Sequence, residues 1–380
     1  MPTSRRTFFR NIAAGAVVSA GKPRLADFGF REASSVSRGT DSSGPIILSR
    51  NENAYGPSQK VLASMQDSLR FANRYPDPAV AALHEAIAKS HSIKTERLVL
   101  GCGSGEILSI AASAFLGPGK QLITALPTFE AIGRCARALG AEVVEVPLAT
   151  NYSHDLEAML ARANAATGLI YICNPNNPTA SLTTRGDLET FIGKLPRTAM
   201  ILIDEAYHHY VKRSGDYSSF IDRPIDDDRV IVARTFSKVF GLAGIRVGYA
   251  VGAPEKIQSL ALRRLPEGIN AVGARAALVA YGDTDYVRES IERNANERQE
   301  FFNQANGRMV RGIDSHTNFA MLKCSRPSVE VIEHFKKNNV LIARPFPSMN
   351  THVRISFGTR PEMKEFWRVW DLVPPGKMEM

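Results

Sequence analysis

Cysteine is scarce in this chain of 380 residues, and its spacing excludes a common kind of site. The four cysteines, at positions 102, 135, 173 and 324, form no CxxC pair and show no metal-centre spacing. We therefore expect no metal site. We expect free thiols, with Cys102 and Cys173 buried in a loop and a strand; disulfides in an oxidising compartment are the alternative.

Long apolar runs, internal repeats and low-complexity tracts are also absent. No run of roughly 18 apolar residues occurs, so the sequence predicts no membrane-spanning helix. The lack of repeats and biased tracts favours an ordinary folded α/β protein. With 44% hydrophobic residues, the chain is long enough for a large core in one or two domains.

The net charge of +9 is unevenly distributed. Residues 1–40 hold seven Lys or Arg and two Asp or Glu, a net of +5, which leaves +4 for the remaining 340 residues. Nucleic-acid binding needs a basic stripe on the folded part, and none is present. We expect no nucleic-acid partner.

The N-terminus has the features of an export signal. The basic stretch Ser4-Arg-Arg-Thr-Phe-Phe-Arg10 precedes a short, weakly apolar run at 12–20, and resembles a bacterial twin-arginine signal. We predict a signal peptide over residues 1–26, with cleavage after Ala20 as the alternative, and a linker over 27–44. The protein is then periplasmic or exported, and no other membrane association is expected. If the basic N-terminus has no targeting role, the protein is cytoplasmic.

Short apolar runs alternate with helical patterns between residues 73 and 265. Near-continuous apolar strands between helices favour an α/β fold with a mostly parallel sheet of seven strands, sandwiched by helices. The predicted strands span residues 97–100, 121–125, 142–146, 168–173, 199–203, 230–233 and 246–251. We expect this large domain to be joined by a smaller α+β domain, built from residues 45–72 and 266–380.

Three groups of polar residues follow predicted strands, where ligands of parallel sheets bind. The loop Gly101-Cys-Gly-Ser-Gly105 opens a helix and suits an anion, although such turns also serve packing alone. Asn177 lies in a loop that is either a plain turn or a source of amide donors. Asp204 and Tyr207 follow a buried strand. A carboxylate there needs a partner, for which a pyridinium nitrogen, a metal or a helix cap is suitable.

The most informative residue is Lys238. Thr235, Ser237 and Arg246 lie close to it in sequence and suit a phosphate, while the amine suits an aldehyde cofactor. Arg354 lies on an alternating strand. It either extends to water or grips a carboxylate with two hydrogen bonds.

Together these residues resemble the fold-type I pyridoxal-phosphate aminotransferases, in the histidinol-phosphate aminotransferase branch. The resemblance spans about residues 46 to 370. The stretches that carry it are Asn51-Glu-Asn-Ala-Tyr-Gly-Pro-Ser58, Arg74-Tyr-Pro-Asp77, Asn174-Pro-Asn-Asn-Pro-Thr179, Asp204-Glu-Ala-Tyr207, Ser237-Lys-Val-Phe-Gly-Leu-Ala-Gly-Ile-Arg246 and Val353-Arg-Ile-Ser-Phe-Gly-Thr359.

The resemblance implies roles for individual residues. Those assigned to the phosphate of pyridoxal 5'-phosphate are Ser104, Gly105, Thr235, Ser237, Arg246 and, from a neighbouring subunit, Tyr75. Those assigned to its ring are Lys238 through a Schiff base, Asp204 at the nitrogen, Asn177 and Tyr207 at the oxygen, and Phe129 by stacking. Those assigned to substrate are Arg354 for the α-carboxylate, Arg344 for a distal phosphate, and Asn53. A homodimer with shared sites is also implied.

The implied function is transfer of an amino group from an amino donor to a 2-oxo acid, with Lys238, Asp204 and Tyr207 as the catalytic set. The sequence departs from the family pattern at two places, of which the second bears on the substrate. Ala180 stands where glycine is usual, and residues 21–44 contain no tyrosine for a substrate phosphate. We therefore expect a donor other than histidinol phosphate. A decarboxylase or lyase on the same scaffold, or a cofactor-binding protein without turnover, are the alternatives.

The leader generates a first prediction. Replacing Arg5 and Arg6 together by lysine keeps the charge but removes the paired arginines, so we expect the protein to stay in the cytoplasm of a bacterial host. Cell fractionation followed by immunoblotting measures this. Equal amounts of variant and wild-type protein in the periplasm would contradict the assignment.

Overall fold

The computed structural model describes residues 44–212 and 216–374. The predicted signal peptide over 1–26 and nearly all of the linker over 27–44 lie outside these residues. The described residues from Ile46 onward form one compact unit. No helix in the described ranges is long and apolar enough to cross a membrane.

Strands and helices alternate as the sequence pattern predicts. The strands are β1 (Ile46–Leu48), β2 (Leu98–Gly101), β3 (Gln121–Leu126), β4 (Glu142–Pro147), β5 (Thr167–Cys173), β6 (Met200–Asp204), β7 (Val230–Thr235), β8 (Gly248–Val251), β9 (Phe319–Lys323), β10 (Val340–Ile342) and β11 (His352–Ser356). The α-helices are α1 (Gln59–Ser68), α2 (Asp77–Ser90), α3 (Gly103–Phe115), α4 (Ala131–Ala138), α5 (Leu156–Arg162), α6 (Arg185–Lys194), α7 (Pro254–Ala261), α8 (Ala271–Gly282), α9 (Thr284–Gly307), α10 (Ser328–Lys337) and α11 (Arg360–Asp371).

The central sheet has seven strands in the order β2-β8-β7-β6-β5-β3-β4. Only β8 runs antiparallel to its neighbours, β2 and β7. Strands β5, β6 and β7 are buried along their whole length, because helices cover both faces. The α/β prediction, with seven mostly parallel strands, is confirmed.

Alternate residues of each strand feed two cores on opposite faces of this sheet. One core includes side chains from α1, α2, α6 and α8, and the other includes side chains from α3, α4 and α7. A third core, rich in aromatic side chains such as Phe301, Phe335 and Phe366, joins α9, α10 and α11 to the small strands β1, β9, β10 and β11. There β1 pairs in parallel with β10, and β9 pairs antiparallel with β11.

The helices α1 and α8 lie elsewhere than the sequence suggests. Both fall in segments assigned to the smaller domain, but they pack against each other and contribute to the core of the large sheet. The small alanines of α8, among them Ala274 and Ala277, permit this close packing. The division into domains stays a prediction.

The cysteine prediction is only partly right. All four cysteines are free, and Cys173 is buried as expected. Cys102 is partly exposed, because it precedes α3 in the turn after β2 and does not point into a core.

Candidate active site

Three central strands end side by side at one edge of the sheet. In the β5–β6–β7 register, Cys173 pairs with Asp204, and Asp204 pairs with Ala233. Thr235 ends β7 two residues later. Parallel strands place their carboxyl ends together, so residues far apart in sequence meet here.

Lys238 follows β7 and directs its amine across this edge. Its Nζ donates hydrogen bonds to the backbone carbonyls of Asn51 at 3.0 Å and Arg50 at 3.3 Å, and lies 5.3 Å from the centre of the Tyr207 ring. Burial, with help from the nearby Arg354 guanidinium, lowers the pKa of Lys238 to about 8. A substantial fraction of this amine is therefore neutral near physiological pH.

Asp204 ends β6 with only 3% of its surface exposed. Its Oδ2 accepts a hydrogen bond from the Tyr171 hydroxyl at 2.9 Å, and its Oδ1 accepts one from the backbone N–H of Ala206 at 3.1 Å. Burial raises the pKa of Asp204 to about 6, and these hydrogen bonds limit the rise. The carboxyl group is thus mostly ionised at neutral pH, ready for a cationic partner. No cluster of metal-ligating side chains occurs within the described ranges.

A cradle for an anion lies at the N-terminus of α3. Arg246 donates to the Ser237 hydroxyl at 3.3 Å, and the Thr235 hydroxyl donates to the same oxygen at 2.9 Å. Gly103 has a φ of +75°, and a Cβ there would lie 2.3 Å from Nη2 of Arg246. The glycine therefore lets the guanidinium approach the helix N-terminus. The backbone amides, hydroxyls and guanidinium together suit a phosphate.

Arg354 lies almost fully buried on β11. It donates to the side-chain oxygen of Asn177 and, at 2.7 Å, to the carbonyl of Ser49. Its Nε has no hydrogen-bond partner among the residues that the structure describes. Burial lowers the pKa of Arg354 to about 10, so the group stays a cation at neutral pH. An incompletely paired buried guanidinium suits a carboxylate ligand.

Tyr207 and Asn177 each have a hydrogen-bond donor that remains for a ligand of this site. The Tyr207 hydroxyl accepts a hydrogen bond from Nδ2 of Asn51 at 3.0 Å, which leaves its own proton for another acceptor. Burial raises the pKa of Tyr207, so that proton is retained. Asn177 uses its oxygen on Arg354, so its N–H groups are the part that can face a ligand.

Known proteins that are similar to this chain are consistent with this geometry. A family model described as aminotransferase class I and II matches residues 43–369. The chain belongs to this family. It is 33% identical over 324 residues to a histidinol-phosphate aminotransferase of Moorella thermoacetica, a match that covers 85% of this chain and 84% of the relative.

Solved structures extend the comparison. The histidinol-phosphate aminotransferase from Sinorhizobium meliloti, in complex with pyridoxal-5'-phosphate, aligns with a TM-score of 0.81 at 27% identity, covering 87% of this chain and 92% of that one. An L-threonine-O-3-phosphate decarboxylase from Porphyromonas gingivalis aligns with a TM-score of 0.74 at 21% identity, covering 86% and 98%. The second likeness shows the fold alone.

Not every residue that the aminotransferase resemblance assigns joins the central cluster. Phe129 is 37% exposed and Tyr75 is 75% exposed. Nδ2 of Asn53 donates to the backbone carbonyl of Val239 at 3.0 Å, and lies near the hydroxyls of two α9 side chains. The substrate-binding assignment of Asn53 therefore stays a prediction.

Arg344 pairs with a carboxylate instead of standing free. Its Nη2 lies 2.6 Å from Oε1 of Glu130, and its guanidinium lies 4.9 Å from the centre of the Phe346 ring. The guanidinium of Arg354 lies 5.5 Å from the centre of the same ring. The two arginines therefore share one wall, but only Arg344 is half-exposed and already ion-paired.

Ala180, which stands where the family has glycine, has a φ of +62°. The position thus requires a left-handed backbone, which costs alanine about 1 kcal/mol. Its N–H donates to Asn176 at 2.8 Å, and its carbonyl accepts from the N–H of His316 at 3.0 Å. Two backbone hydrogen bonds hold the turn in place.

Sequence reasoning missed several residues of the site. Asn51 contacts both Tyr207 and Lys238, and its own backbone is held by Asn318 and Ser356. Asn51 lies within a stretch that carries the family resemblance, so its position offered a signal. Tyr171 lies two residues before Cys173 on β5, and the period of a strand places both on one face.

The lowered pKa of Lys238 generates a second prediction. In competitive labelling with acetic anhydride, read by mass spectrometry, Lys238 of the cofactor-free protein should become half-reactive near pH 8, because only the neutral amine reacts. Lys60 is the matched control, because its hydrogen bond to Asp283 raises its pKa above the ordinary value of a lysine. Arg354→Met should move the Lys238 midpoint to higher pH by removing a neighbouring cation. Equal midpoints for both lysines would contradict the site.

Proposed function

We infer that this protein is a pyridoxal-phosphate-dependent aminotransferase, which transfers an amino group between an amino donor and a 2-oxo acid. The observation that carries this inference is the surroundings of Lys238. An amine with a pKa of about 8 shares one cluster with a buried carboxylate and a buried guanidinium. Membership of the aminotransferase family and the cofactor of the Sinorhizobium meliloti structure support it.

The residues present fit the cofactor. The cradle at the N-terminus of α3 takes a phosphate through Ser104, Gly105, Thr235, Ser237 and Arg246, and the close approach of Arg246 to Gly103 explains the glycine there. Asp204 would hold the proton on the ring nitrogen. Asn177 and Tyr207 would donate to the ring oxygen, and Phe129 is the residue that would stack on the ring.

When bound, pyridoxal phosphate supplies an electron sink for the charge left as a proton leaves the donor's α carbon. Nζ of Lys238 is the base that takes this proton, and it must be neutral to do so. Its lowered pKa provides the neutral form without making the amine a poor base. The ionised Asp204 would keep the ring nitrogen protonated, and Arg354 would fix the donor by its α-carboxylate.

The finer assignments are also proposals. We propose a homodimer in which Tyr75 of each chain reaches the phosphate held by the other, which its high exposure in the single chain supports. Export through the twin-arginine route is proposed from the leader sequence alone. The functional division into a large and a smaller domain likewise follows from the sequence.

The donor that we propose is an amino acid rather than histidinol phosphate. Arg354, whose Nε–H has no partner among the described residues, suits an α-carboxylate. Arg344, assigned to a distal phosphate, is held by Glu130 at 2.6 Å, so a phosphate would have to compete with a carboxylate already in place. The lack of tyrosine in residues 21–44 supports the same choice.

A panel of amino donors tests the function directly. Each donor is added to the purified protein with bound cofactor and no acceptor, and we expect at least one to convert the cofactor's visible spectrum while releasing a 2-oxo acid. Lys238→Ala should abolish both changes, while Lys60→Ala, on the surface, should retain them. Release of CO2 without a 2-oxo acid would make the protein a decarboxylase. No spectral change across the panel would leave a binding protein without turnover.

The role of Arg354 generates a separate prediction. Arg354→Ala should raise KM for α-carboxylate donors about 30- to 1,000-fold, or roughly 2–4 kcal/mol, as expected when one partner of a buried charge pair is removed. Arg344→Ala is the matched control on the same wall, and we expect it to change this KM by less than about threefold because its group is exposed and ion-paired. Steady-state kinetics measures both. An unchanged KM in the Arg354 variant would place the carboxylate elsewhere.

A further inference from the structure

Tyr171 is a buried hydroxyl that no part of the proposed mechanism uses. It lies in the middle of β5 with none of its surface exposed, and its hydroxyl donates to Oδ2 of Asp204 at 2.9 Å. A tyrosine fully inside an apolar core keeps its hydroxyl there only when a partner is present. Here the partner is the carboxylate assigned to the ring nitrogen.

The strand register creates this contact. Tyr171 pairs with Leu202, and Cys173 pairs with Asp204, across the parallel strands β5 and β6. Because side chains alternate, all four point to the face of the sheet that α3 covers. Tyr171 lies two residues before Cys173, the strand partner of Asp204, and is therefore further from the edge of the sheet. Its hydroxyl reaches the carboxylate from the core side.

The Asp204 carboxylate is therefore held by one donor on each oxygen. The N–H of Ala206 occupies one side of Oδ1 and the Tyr171 hydroxyl one side of Oδ2. A carboxylate has about four lone-pair positions, so two donors orient it and leave positions for a cationic N–H. Without the Tyr171 hydroxyl, Oδ2 would lose this donor and the N–H of Ala206 alone would orient the carboxylate.

The charges around Asp204 make its ionisation depend on this hydroxyl. Asp204 is close to Tyr171 and Cys173 on β5. It is also close to Glu205 and Tyr207, which follow it in the chain, and to Lys238, which follows β7. Burial raises the pKa of both the Tyr171 hydroxyl and the Cys173 thiol, so both stay neutral. Glu205 disfavours the charge on Asp204, and its own carboxylate is bound by Arg234 at 2.9 Å. Among the interactions that lower the pKa of Asp204 against the effect of burial, the hydrogen bond from Tyr171 is the largest.

We propose that Tyr171 is a positioning residue, whose hydroxyl keeps Asp204 ionised and oriented toward the proton of the cofactor's ring nitrogen. The proposal rests on the proposed function, because it gives Asp204 the role described there. Tyr171 itself touches neither substrate nor cofactor in this assignment. It acts through Asp204.

Tyr171→Phe tests the proposal with the ring packing preserved. In the holoenzyme we expect kcat to fall about 10- to 100-fold, the effect of losing one hydrogen bond to a charged group, with the KM of the donor changed less than about threefold. The pH midpoint of the bound cofactor's visible absorbance should move upward, because a ring that holds its proton less well is less electron-poor. Tyr249→Phe is the matched control, since it removes another buried hydroxyl of the same sheet, bonded to His91 at 3.2 Å. Equal behaviour of the two variants would overturn the proposal.

A double-mutant cycle separates positioning from packing. In an Asp204→Asn background the charge is already gone, so adding Tyr171→Phe should lower kcat by less than about twofold further. If Tyr171→Phe lowers kcat by the same factor in both backgrounds, the tyrosine acts without Asp204 and the proposal fails.

A third measurement needs no turnover. The pKa of Asp204 is raised to about 6 from an ordinary 3.8, so its burial destabilises the fold increasingly as pH rises through this interval. Without the Tyr171 hydroxyl the penalty is larger and extends to higher pH. The Tm deficit of cofactor-free Tyr171→Phe should therefore widen between pH 5 and pH 8, and Asp204→Asn should abolish the widening. A deficit that does not change with pH would overturn the proposal, even if no donor reacts and the proposed function itself fails.

Discussion

Removal of charged groups from water is the constraint on which this site depends. Three ionisable groups meet here, one at the end of β6, one just after β7 and one on β11, and burial shifts the pKa of each in the direction that favours its neutral form. The pKa of the Lys238 amine falls to about 8, the pKa of the Asp204 carboxyl rises to about 6, and the pKa of the Arg354 guanidinium falls to about 10. Since each of these groups has a specific set of partners, the cluster tolerates its burial and keeps the protonation states that the proposed chemistry needs.

The partners come from two cores rather than from one loop. Asp204 and the Tyr171 hydroxyl belong to the sheet, whereas Ser356, which holds Asn51, ends a strand of the third core. Asn51 in turn meets both Tyr207 and Lys238. A change in the packing of the third core would therefore shift the position of the Lys238 amine. This is a physical reason for a rigid connection at this point.

Fold and family alone do not choose the substrate. A decarboxylase shares the fold at 21% identity, and histidinol-phosphate aminotransferases share the family. The discriminating features are charges on the site wall. Arg354 is buried and incompletely paired, whereas Arg344 is held by Glu130. These differences decide which anionic end of a donor is bound, and they arise from side-chain contacts that the backbone does not require.

The sequence by itself determined where the seven strands lie along the chain and that the sheet is mostly parallel, because apolar runs between helical patterns report burial on both faces. It also placed Lys238, Asp204 and Arg354 at strand ends or on a strand, and the family resemblance assigned their roles. Only the tertiary structure decided that Tyr171 meets Asp204, that Asn51 meets Tyr207, that Glu130 occupies Arg344, and that α8 packs under the large sheet. These contacts join segments far apart in the chain. They depend on strand register and on how packed layers face each other, which local periodicity does not record.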